Sequence, residues 1–277
     1  MTLHRRMVST PRFEEAERMP PAGLRERFLV DGLFAAAAVR LVITDLDRMV
    51  LGGAVPEPDL PLPPCEDFGT RYFQERRETG IINIGAPGAV RVGAQTYPLD
   101  SLDCLYVGAG EEDVAFLSGP AGGAAFYFLS CPAHCKYPTA LVARAETQAQ
   151  SVGDESHASR RTIHKCIHPG GAASCQLVMG FTELAPSSVW NTMPAHTHAR
   201  RSEIYLYFDL GDALVVHLMG RPEATRHLIV RDRQAALSPP WSIHAGAGTA
   251  SYRFIWGMAG ENQDFGDMDA VAPGHLL

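Results

Sequence analysis

The chain has 277 residues, of which 46% are hydrophobic and 20% charged, and its formal net charge is −7. This composition is typical of soluble globular proteins and excludes an intrinsically disordered chain. No apolar run reaches the length of a membrane span, so we expect no membrane partner. No run of Lys or Arg exceeds two residues, so we expect no nucleic-acid partner either.

The cysteines and the N-terminus indicate the cellular compartment. Six cysteines in a chain of this length do not predict a disulfide framework, and we expect free thiols. The start of the chain is basic, but Pro-Arg-Phe-Glu-Glu at residues 11–15 stands where a secretory signal needs its apolar core. We therefore expect a cytoplasmic protein.

The first half of the chain begins with helical spacing and continues with strands. Residues 14–28 carry apolar side chains at helical spacing, interrupted by two prolines, and predict one or two short helices. Strand patterns follow, broken after Leu51 by two glycines and at residues 56–65 by a proline-rich loop. The predicted strands lie at residues 40–45, 78–85, 89–92, 95–99 and 103–108. Short strands with Gly-centred turns predict an antiparallel barrel or sandwich.

The second half shows the same pattern of short strands separated by turn residues. It has six strand candidates, at residues 175–184, 203–208, 213–219, 225–230, 235–237 and 251–257. We favour two copies of one β architecture, residues 1–149 and 150–277, with a polar linker at residues 145–159. A single all-β domain with coincidental spacing is the alternative. Only the second copy contains a candidate metal site.

That site is built from three histidines and one glutamate. His196 and His198 project to the same side of an extended strand, as two imidazoles on one metal must. Glu203 needs a turn after His198 to join them, and His244 follows about forty residues on. Such a mixed N/O set suits zinc or, less selectively, manganese, iron or nickel. Because H-x-H pairs also arise by chance, and lone strand histidines such as His217 are usually structural, spacing alone leaves the site open.

Longer sequence blocks resemble one family. They are Phe73 to Gly85, Leu105 to Gly108, Pro132 to His134, Arg160 to Ile163, Leu184 to Pro186, Trp190 to His198, Trp241 to His244 and Phe254 to Gln263. Together they closely resemble the 5-keto-4-deoxyuronate isomerases (4-deoxy-L-threo-5-hexosulose-uronate ketol-isomerases), which are bicupins. The resemblance implies an all-β fold of two antiparallel double-stranded β-helix (jelly-roll) barrels, with short helices at the N-terminus.

The resemblance also implies an activity. Members of this family are zinc-dependent aldose-ketose isomerases of pectin breakdown, commonly hexamers. They convert the small-molecule uronate 5-dehydro-4-deoxy-D-glucuronate to 3-deoxy-D-glycero-2,5-hexodiulosonate. The zinc ligands of the family map onto His196, His198, Glu203 and His244, all four of which are present. Because the chain has one complete ligand set, we expect one zinc ion per chain.

Isomerisation through an enediol needs a Lewis acid and a base that moves a proton between adjacent carbons. Glu203 is the first candidate for the base, and Tyr205 and Lys165 are the alternatives. Tyr205 and Tyr207 share a strand face with Glu203, so both are candidates to line the pocket and donate to the sugar oxygens, with core packing at least as good an interpretation.

The carboxylate of a uronate needs a cation. Arg160 and Arg161 are candidates, because a guanidinium fork matches a carboxylate, although arginine pairs before a strand usually form a solvated face. Trp190 and Trp241 flank the ligand segments and are candidate walls of the substrate site, although large aromatic residues more often pack in the core.

Three other classes of function share parts of this pattern. A 5-deoxy-glucuronate isomerase of inositol catabolism would share the fold and the chemistry. An oxygenase cupin would use the same ligands with Fe(II). A non-catalytic seed-storage or sugar-binding bicupin would be expected to lack an intact metal set.

Overall fold

A computed structural model describes residues 4–277, and its helical content is small. Helix α1 is Phe13–Ala16 and helix α2 is Pro21–Phe28. The first position of α2 is a proline, whose missing N–H costs no hydrogen bond there. The predicted pair of short N-terminal helices is confirmed. Among residues 4–277, no helix is long and apolar enough to span a lipid bilayer.

Most of the regular structure is β. The strands are, in chain order, β1 (His4–Val8), β2 (Leu29–Val30), β3 (Ala38–Thr44), β4 (Val50–Val55), β5 (Leu60–Pro61), β6 (Arg77–Asn83), β7 (Gly88–Val92), β8 (Gln95–Leu99), β9 (Cys104–Val107), β10 (Val114–Ser118), β11 (Phe126–Pro132), β12 (Ala140–Val142), β13 (Gln148–Val152), β14 (Arg161–Ile167), β15 (Val178–Leu184), β16 (Trp190–Asn191), β17 (His196–Thr197), β18 (Arg201–Phe208), β19 (Val215–Arg221), β20 (Ala224–Val230), β21 (Gln234–Ser238), β22 (Ala245–Gly248), β23 (Arg253–Gly260) and β24 (Asp269–Ala270). The prediction of a mostly β chain is confirmed.

The described chain divides into two compact units. Unit 1 comprises the described residues up to Val8, with Gly32–Thr147 and Cys166–Val178. Unit 2 comprises Ser9–Asp31, Gln148–Lys165 and Met179–Leu277.

Unit 1 is built on a seven-stranded sheet of order β1-β3-β4-β11-β6-β9-β12 and a four-stranded sheet of order β5-β10-β7-β8. Its interior is apolar, with Ile81, Leu105, Phe126 and Phe128 in one buried cluster. Nearly all strand pairs are antiparallel; the pair of β1 with β3 is parallel. The core of unit 1 is therefore made of apolar side chains from both sheets.

Strand β4 shows why two glycines interrupted the sequence pattern without interrupting the strand. A Cβ on Gly52 would lie 2.2 Å from the Phe128 ring, and one on Gly53 would lie 2.6 Å from the carbonyl oxygen of Leu33. Both positions are strand residues at which another part of unit 1 approaches the backbone closely. The glycines serve packing here and do not form a turn.

Unit 2 has a seven-stranded sheet of order β13-β14-β15-β23-β18-β21-β2 and a four-stranded sheet of order β16-β22-β19-β20. Strands β17 and β24 form a separate two-stranded ribbon. Each of the six strands predicted in the second half is found, with ends that differ by a few residues. The segment predicted as a linker, residues 145–159, instead contributes β13, which pairs with β14.

Candidate metal centre

Two of the four candidate ligands are positioned by strand β17 and the turn after it. His196 pairs across the ribbon with Ala270 of β24. His198 follows, a turn occupies residues 199–200, and β18 begins at Arg201. The turn brings Glu203 back toward the two histidines, as the sequence predicted, but the strand begins two residues earlier than expected.

The fourth candidate ligand, His244, is carried by the loop between β21 and β22. Strand β21 ends at Ser238, which pairs directly with Glu203 in β18. The chain then turns, and the Oγ of Ser242 accepts a hydrogen bond from the backbone N–H of Gly220 at 2.9 Å. This contact holds the loop so that His244 comes immediately before β22.

The four side chains converge. One ligand atom from each of His196, His198, Glu203 and His244 lies within 4.8 Å of the others. The Nε2 atom of His244 is 2.8 Å from Glu203 Oε2 and 3.0 Å from His196 Nε2, and that of His198 is 3.1 Å from Glu203 Oε2. Within residues 4–277 this is the only cluster of its kind.

The protonation states suit a divalent cation. The Nδ1 atom of His198 lies 3.0 Å from the carbonyl oxygen of Asp267 and 3.2 Å from Nη2 of Arg201; a proton on Nδ1, donated to the carbonyl, would leave Nε2 free to bind a metal. Burial, followed by the neighbouring His244, lowers the pKa of His196 to about 3, so its imidazole is neutral at neutral pH. Burial alone would raise the pKa of Glu203, but His244 and His198 beside its carboxylate hold that pKa well below its usual range. The donor set fits a metal ion.

A cavity of about 330 Å³ opens onto this cluster. Its lining is mostly apolar with a few polar groups, as is usual for small-molecule sites. The lining residues are Gln150, Val152, Arg161, Ile163, Thr182, Thr192, Met193, Pro194, His196, His198, Glu203, Tyr205, Phe254, Trp256, Met258, Phe265 and Met268.

Trp256 forms one wall of the cavity and is held in place from two sides. Its indole N–H donates to Thr182 Oγ1 at 3.1 Å. Its ring lies where Gly180 has no side chain, since a Cβ there would be 2.5 Å from the ring.

Tyr205 and Arg161 are the predicted substrate-side residues that line the cavity. The hydroxyl of Tyr205 lies 3.1 Å from Thr192 Oγ1, and burial, reinforced by the charge of Glu203, raises its pKa well above the usual value. The phenol is therefore a neutral hydrogen-bonding group. Arg161 donates to the carbonyl of Ser159 at 2.8 Å and is the only Lys or Arg in the lining among residues 4–277.

Lys165 is half-buried near the cavity. Its ammonium nitrogen lies 4.1 Å from the centroid of the Phe265 ring, and Phe265 is a lining residue. This geometry is a cation–π contact, so Lys165 packs against a ring that lines the cavity.

The other three predicted residues make contacts of a different kind. Arg160 is exposed and pairs with Glu155 at 2.8 Å. The ring of Trp241 packs edge-on against Phe13 and Phe28, with centroids 6.4 and 6.0 Å away. Trp190 belongs to β16 and pairs with Ala247 of β22. Among the described residues, these three and Lys165 are not part of the cavity lining.

Two features of the site were missed by sequence reasoning. Asp267, whose carbonyl contacts His198, lies in a polar segment that carries no recognisable pattern. The second feature is a hydrogen bond between two buried side chains of unit 2, with 2.7 Å between the Tyr207 phenol oxygen and Nδ1 of His217. Tyr207 was a pocket candidate because it shares a strand face with Tyr205, but among the described residues it is not in the cavity lining and contacts His217 instead.

The fold is cupin-like, and its second unit carries a cluster of three histidines and one glutamate that could hold a metal ion. In fold, the chain is similar to an IolB-like protein from Salmonella typhimurium LT2, with a TM-score of 0.67, 12% identity and 91% of each chain covered. It is also similar to oxalate decarboxylase from Lactobacillus farciminis, with a TM-score of 0.58, 10% identity, and 87% of this chain and 89% of the other covered.

The chain belongs to the KduI/IolB family, whose sequence model matches residues 64–272. A relative from Opitutus terrae, named 4-deoxy-L-threo-5-hexosulose-uronate ketol-isomerase, is 61% identical over 95% of this chain and 96% of its own length. Relatives of the same name from Bacillus licheniformis and Kineococcus radiotolerans are each 50% identical, over 93% and 99% of this chain and 94% and 100% of their own lengths. The resemblance found in the sequence blocks is confirmed.

Proposed function

We propose that the chain is a zinc-dependent ketol-isomerase that converts 5-dehydro-4-deoxy-D-glucuronate to 3-deoxy-D-glycero-2,5-hexodiulosonate in pectin breakdown. The observation that carries this proposal is the convergence of three imidazoles and one carboxylate on a cavity of sugar size, in a chain 61% identical to a relative named for this reaction. His196, His198, Glu203 and His244 would hold one ion per chain.

His196, His198, Glu203 and His244 would hold the zinc ion, which when bound would supply Lewis acidity for the enediol chemistry. Glu203 is positioned to move the proton. Its carboxylate lies at the edge of the cavity, with one oxygen directed to the imidazoles of His198 and His244. We assign it the transfer of a proton from the hydroxyl-bearing carbon to the adjacent carbonyl carbon, while the hydroxyl proton passes to the former carbonyl oxygen.

Arg161 and Tyr205 are assigned to substrate recognition. A guanidinium fork binds a carboxylate through two charge-assisted hydrogen bonds, and Arg161 brings such a fork to the cavity. Tyr205, neutral because of burial, is suited to donate its O–H to a sugar oxygen. Lys165 is retained as a support for the Phe265 wall and as the reserve candidate for the base.

We further propose that the protein is a bicupin whose two halves arose by duplication, with a boundary near residue 149. Support comes from the matching sheet orders β4-β11-β6-β9 and β15-β23-β18-β21. In these orders β6 corresponds to β18 and β9 to β21. The pairing of β6 with β9 begins at Thr79, and that of β18 with β21 begins at Glu203. Two residues further along each strand are Ile81 and Tyr205. At these positions the first half carries a threonine and an isoleucine in place of a ligand and a polar cavity residue.

The relatives' name favours the 4-deoxy substrate over 5-deoxy-glucuronate, and activity assays separate the two. Purified protein would be assayed on both sugars, after chelation and again after addition of zinc or Fe(II). We expect isomerisation of the 4-deoxy uronate that is lost on chelation and restored by zinc. Failure of the zinc-loaded protein to isomerise it contradicts the proposal, and oxygen consumption with Fe(II) would support the oxygenase alternative.

We propose a cytoplasmic homo-oligomer, with a hexamer implied by the family resemblance. Light scattering coupled to gel filtration tests the stoichiometry. A particle six times the 30.0 kDa chain mass supports the hexamer, and a monomer contradicts it.

A further inference from the structure

Residues 261–271, which we term the strap, connect β23 to the end of β24 and run beside the metal ligands. The strap is joined at both ends to the segment that carries His196 and His198. The backbone N–H of Glu261 donates to the carbonyl of Arg200 at 3.0 Å, and that of Val271 donates to the carbonyl of Ala195 at 2.9 Å. The strap also supplies two cavity-lining side chains, Phe265 and Met268.

Two consecutive arginines, Arg200 of the turn and Arg201 at the start of β18, hold the middle of the strap. The guanidinium of Arg200 binds the Asp267 carboxylate. Its Nε lies 2.8 Å from both carboxylate oxygens, and its Nη2 also donates to Oδ1. Asn262 Nδ2 donates to the same carboxylate at 2.6 Å. Arg201, only 1% exposed, donates to the backbone carbonyls of Asp264 and Asp267, each at 2.7 Å.

Asp267 thereby joins the strap to a metal ligand. Its carboxylate is fixed by Arg200, while its carbonyl faces Nδ1 of His198 at 3.0 Å. A carbonyl at that nitrogen fixes the tautomer and the ring orientation that a liganding Nε2 requires. Arg201 also holds this carbonyl, so loss of the carboxylate contacts removes one of its two restraints and loosens its position beside the imidazole.

We propose that Asp267 is a positioning residue, which orients His198 for metal binding and at the same time holds Phe265 and Met268 in the cavity wall. The proposal rests on the proposed metal site. It predicts that one substitution on the strap weakens metal binding and substrate binding together, although the side chain of Asp267 is neither a metal ligand nor a lining residue.

Asp267→Asn tests this, since the amide keeps the size of the side chain and removes its charge. The zinc dissociation constant would be measured by competition with a chromophoric chelator. We expect binding to weaken by about 10- to 100-fold, the usual effect of removing a partner that orients a ligand. The ¹⁵N resonances of His198 should also lose the signature of a proton fixed on Nδ1, and KM should rise more than kcat falls.

Asp209→Asn is the matched control. Asp209 forms an ion pair with Arg253 in the same unit, at 2.6 Å, and among the described residues it belongs neither to the ligand cluster nor to the cavity lining. Its zinc affinity and its His198 signals should equal those of the wild type. Asn262→Ala leaves the Arg200 contacts of Asp267 in place and is the milder variant for use if Asp267→Asn does not fold; it removes the bond to the Asp267 carboxylate and the one that Asn262 Oδ1 accepts from the Asp264 N–H at 3.0 Å.

The outcomes separate this inference from the proposed function. Wild-type affinity and an unchanged His198 spectrum in a folded Asp267→Asn or Asn262→Ala variant overturn the positioning role alone. A wild-type protein that binds no zinc overturns the metal site itself.

Discussion

Glu203→Gln separates metal binding from proton transfer. Glu203 is 4% exposed, and one oxygen lies within 3.1 Å of two imidazole nitrogens, so the substitution changes a buried group with defined neighbours. Glutamine keeps the shape and a carbonyl oxygen that can still face the metal, but it loses the charge and the basicity. If Glu203 is both ligand and base, turnover falls much further than metal occupancy.

The size of the effect follows from the chemistry of a general base. Such a residue contributes about 10²- to 10⁴-fold to the rate. At about 1.36 kcal/mol for each tenfold change, its loss raises the barrier by about 2.7–5.4 kcal/mol. The remaining donors, His196, His198 and His244, still bind zinc when zinc is in excess. We therefore expect kcat at saturating zinc to fall at least 100-fold while occupancy stays near one ion per chain.

The assay measures initial rates of isomerisation and bound zinc in the same samples, over a series of zinc concentrations. His244→Ala is the comparison, because it removes a ligand outright and should lose metal and activity together. Near-normal turnover of zinc-saturated Glu203→Gln would refute the base role and direct attention to Tyr205 or Lys165.

Three further predictions test recognition, packing and pH dependence. Arg161→Lys should raise KM about 10- to 100-fold, because it loses a charge-assisted contact of about 1.5–3 kcal/mol with the substrate carboxylate. Arg160→Lys is the control and should leave KM unchanged, because Arg160 is exposed and pairs with Glu155. Equal effects of the two substitutions contradict the assignment. Gly52→Ala should lower the unfolding free energy by about 1–3 kcal/mol in urea, since its Cβ meets the Phe128 ring; unchanged stability contradicts the packing argument. Burial lowers the pKa of His217 to about 3, so below pH 6.5 the unfolded chain binds a proton that the folded chain excludes. Stability of the chelated protein should fall from pH 6.5 toward 3, and His217→Gln should flatten this slope by about 1.4 kcal/mol per pH unit; an unaltered slope refutes it.

Local patterns predicted much of the fold. Strand β8 matches its predicted range, because Gly93 closes the turn before it and apolar residues alternate through it. Strand β4 was not recognised, because Gly52 and Gly53 resemble a turn until the Phe128 ring and the Leu33 carbonyl are placed against them. Close approaches between distant segments leave no periodic signal in a single sequence.

The site shows the same division. The spacing of His196, His198 and Glu203 predicted a cluster joined by a turn, and the structure has both the turn and the cluster. Sequence alone did not distinguish Arg160 from Arg161, because the choice depends on which face of β14 meets the cavity. Trp241 packs against Phe13 and Phe28 because residues 9–31 belong to unit 2, a long-range arrangement without a local pattern.

Zinc titration of the chelated protein tests the proposed function most directly. Isomerisation of 5-dehydro-4-deoxy-D-glucuronate would be followed while zinc is added in known amounts. We expect no activity without metal, a linear rise, and a plateau at one equivalent per chain, set by the single cluster of His196, His198, Glu203 and His244 among the described residues. Full activity in the chelated protein, or zinc binding at one equivalent without any isomerisation, would contradict the assignment of this chain as a zinc-dependent ketol-isomerase.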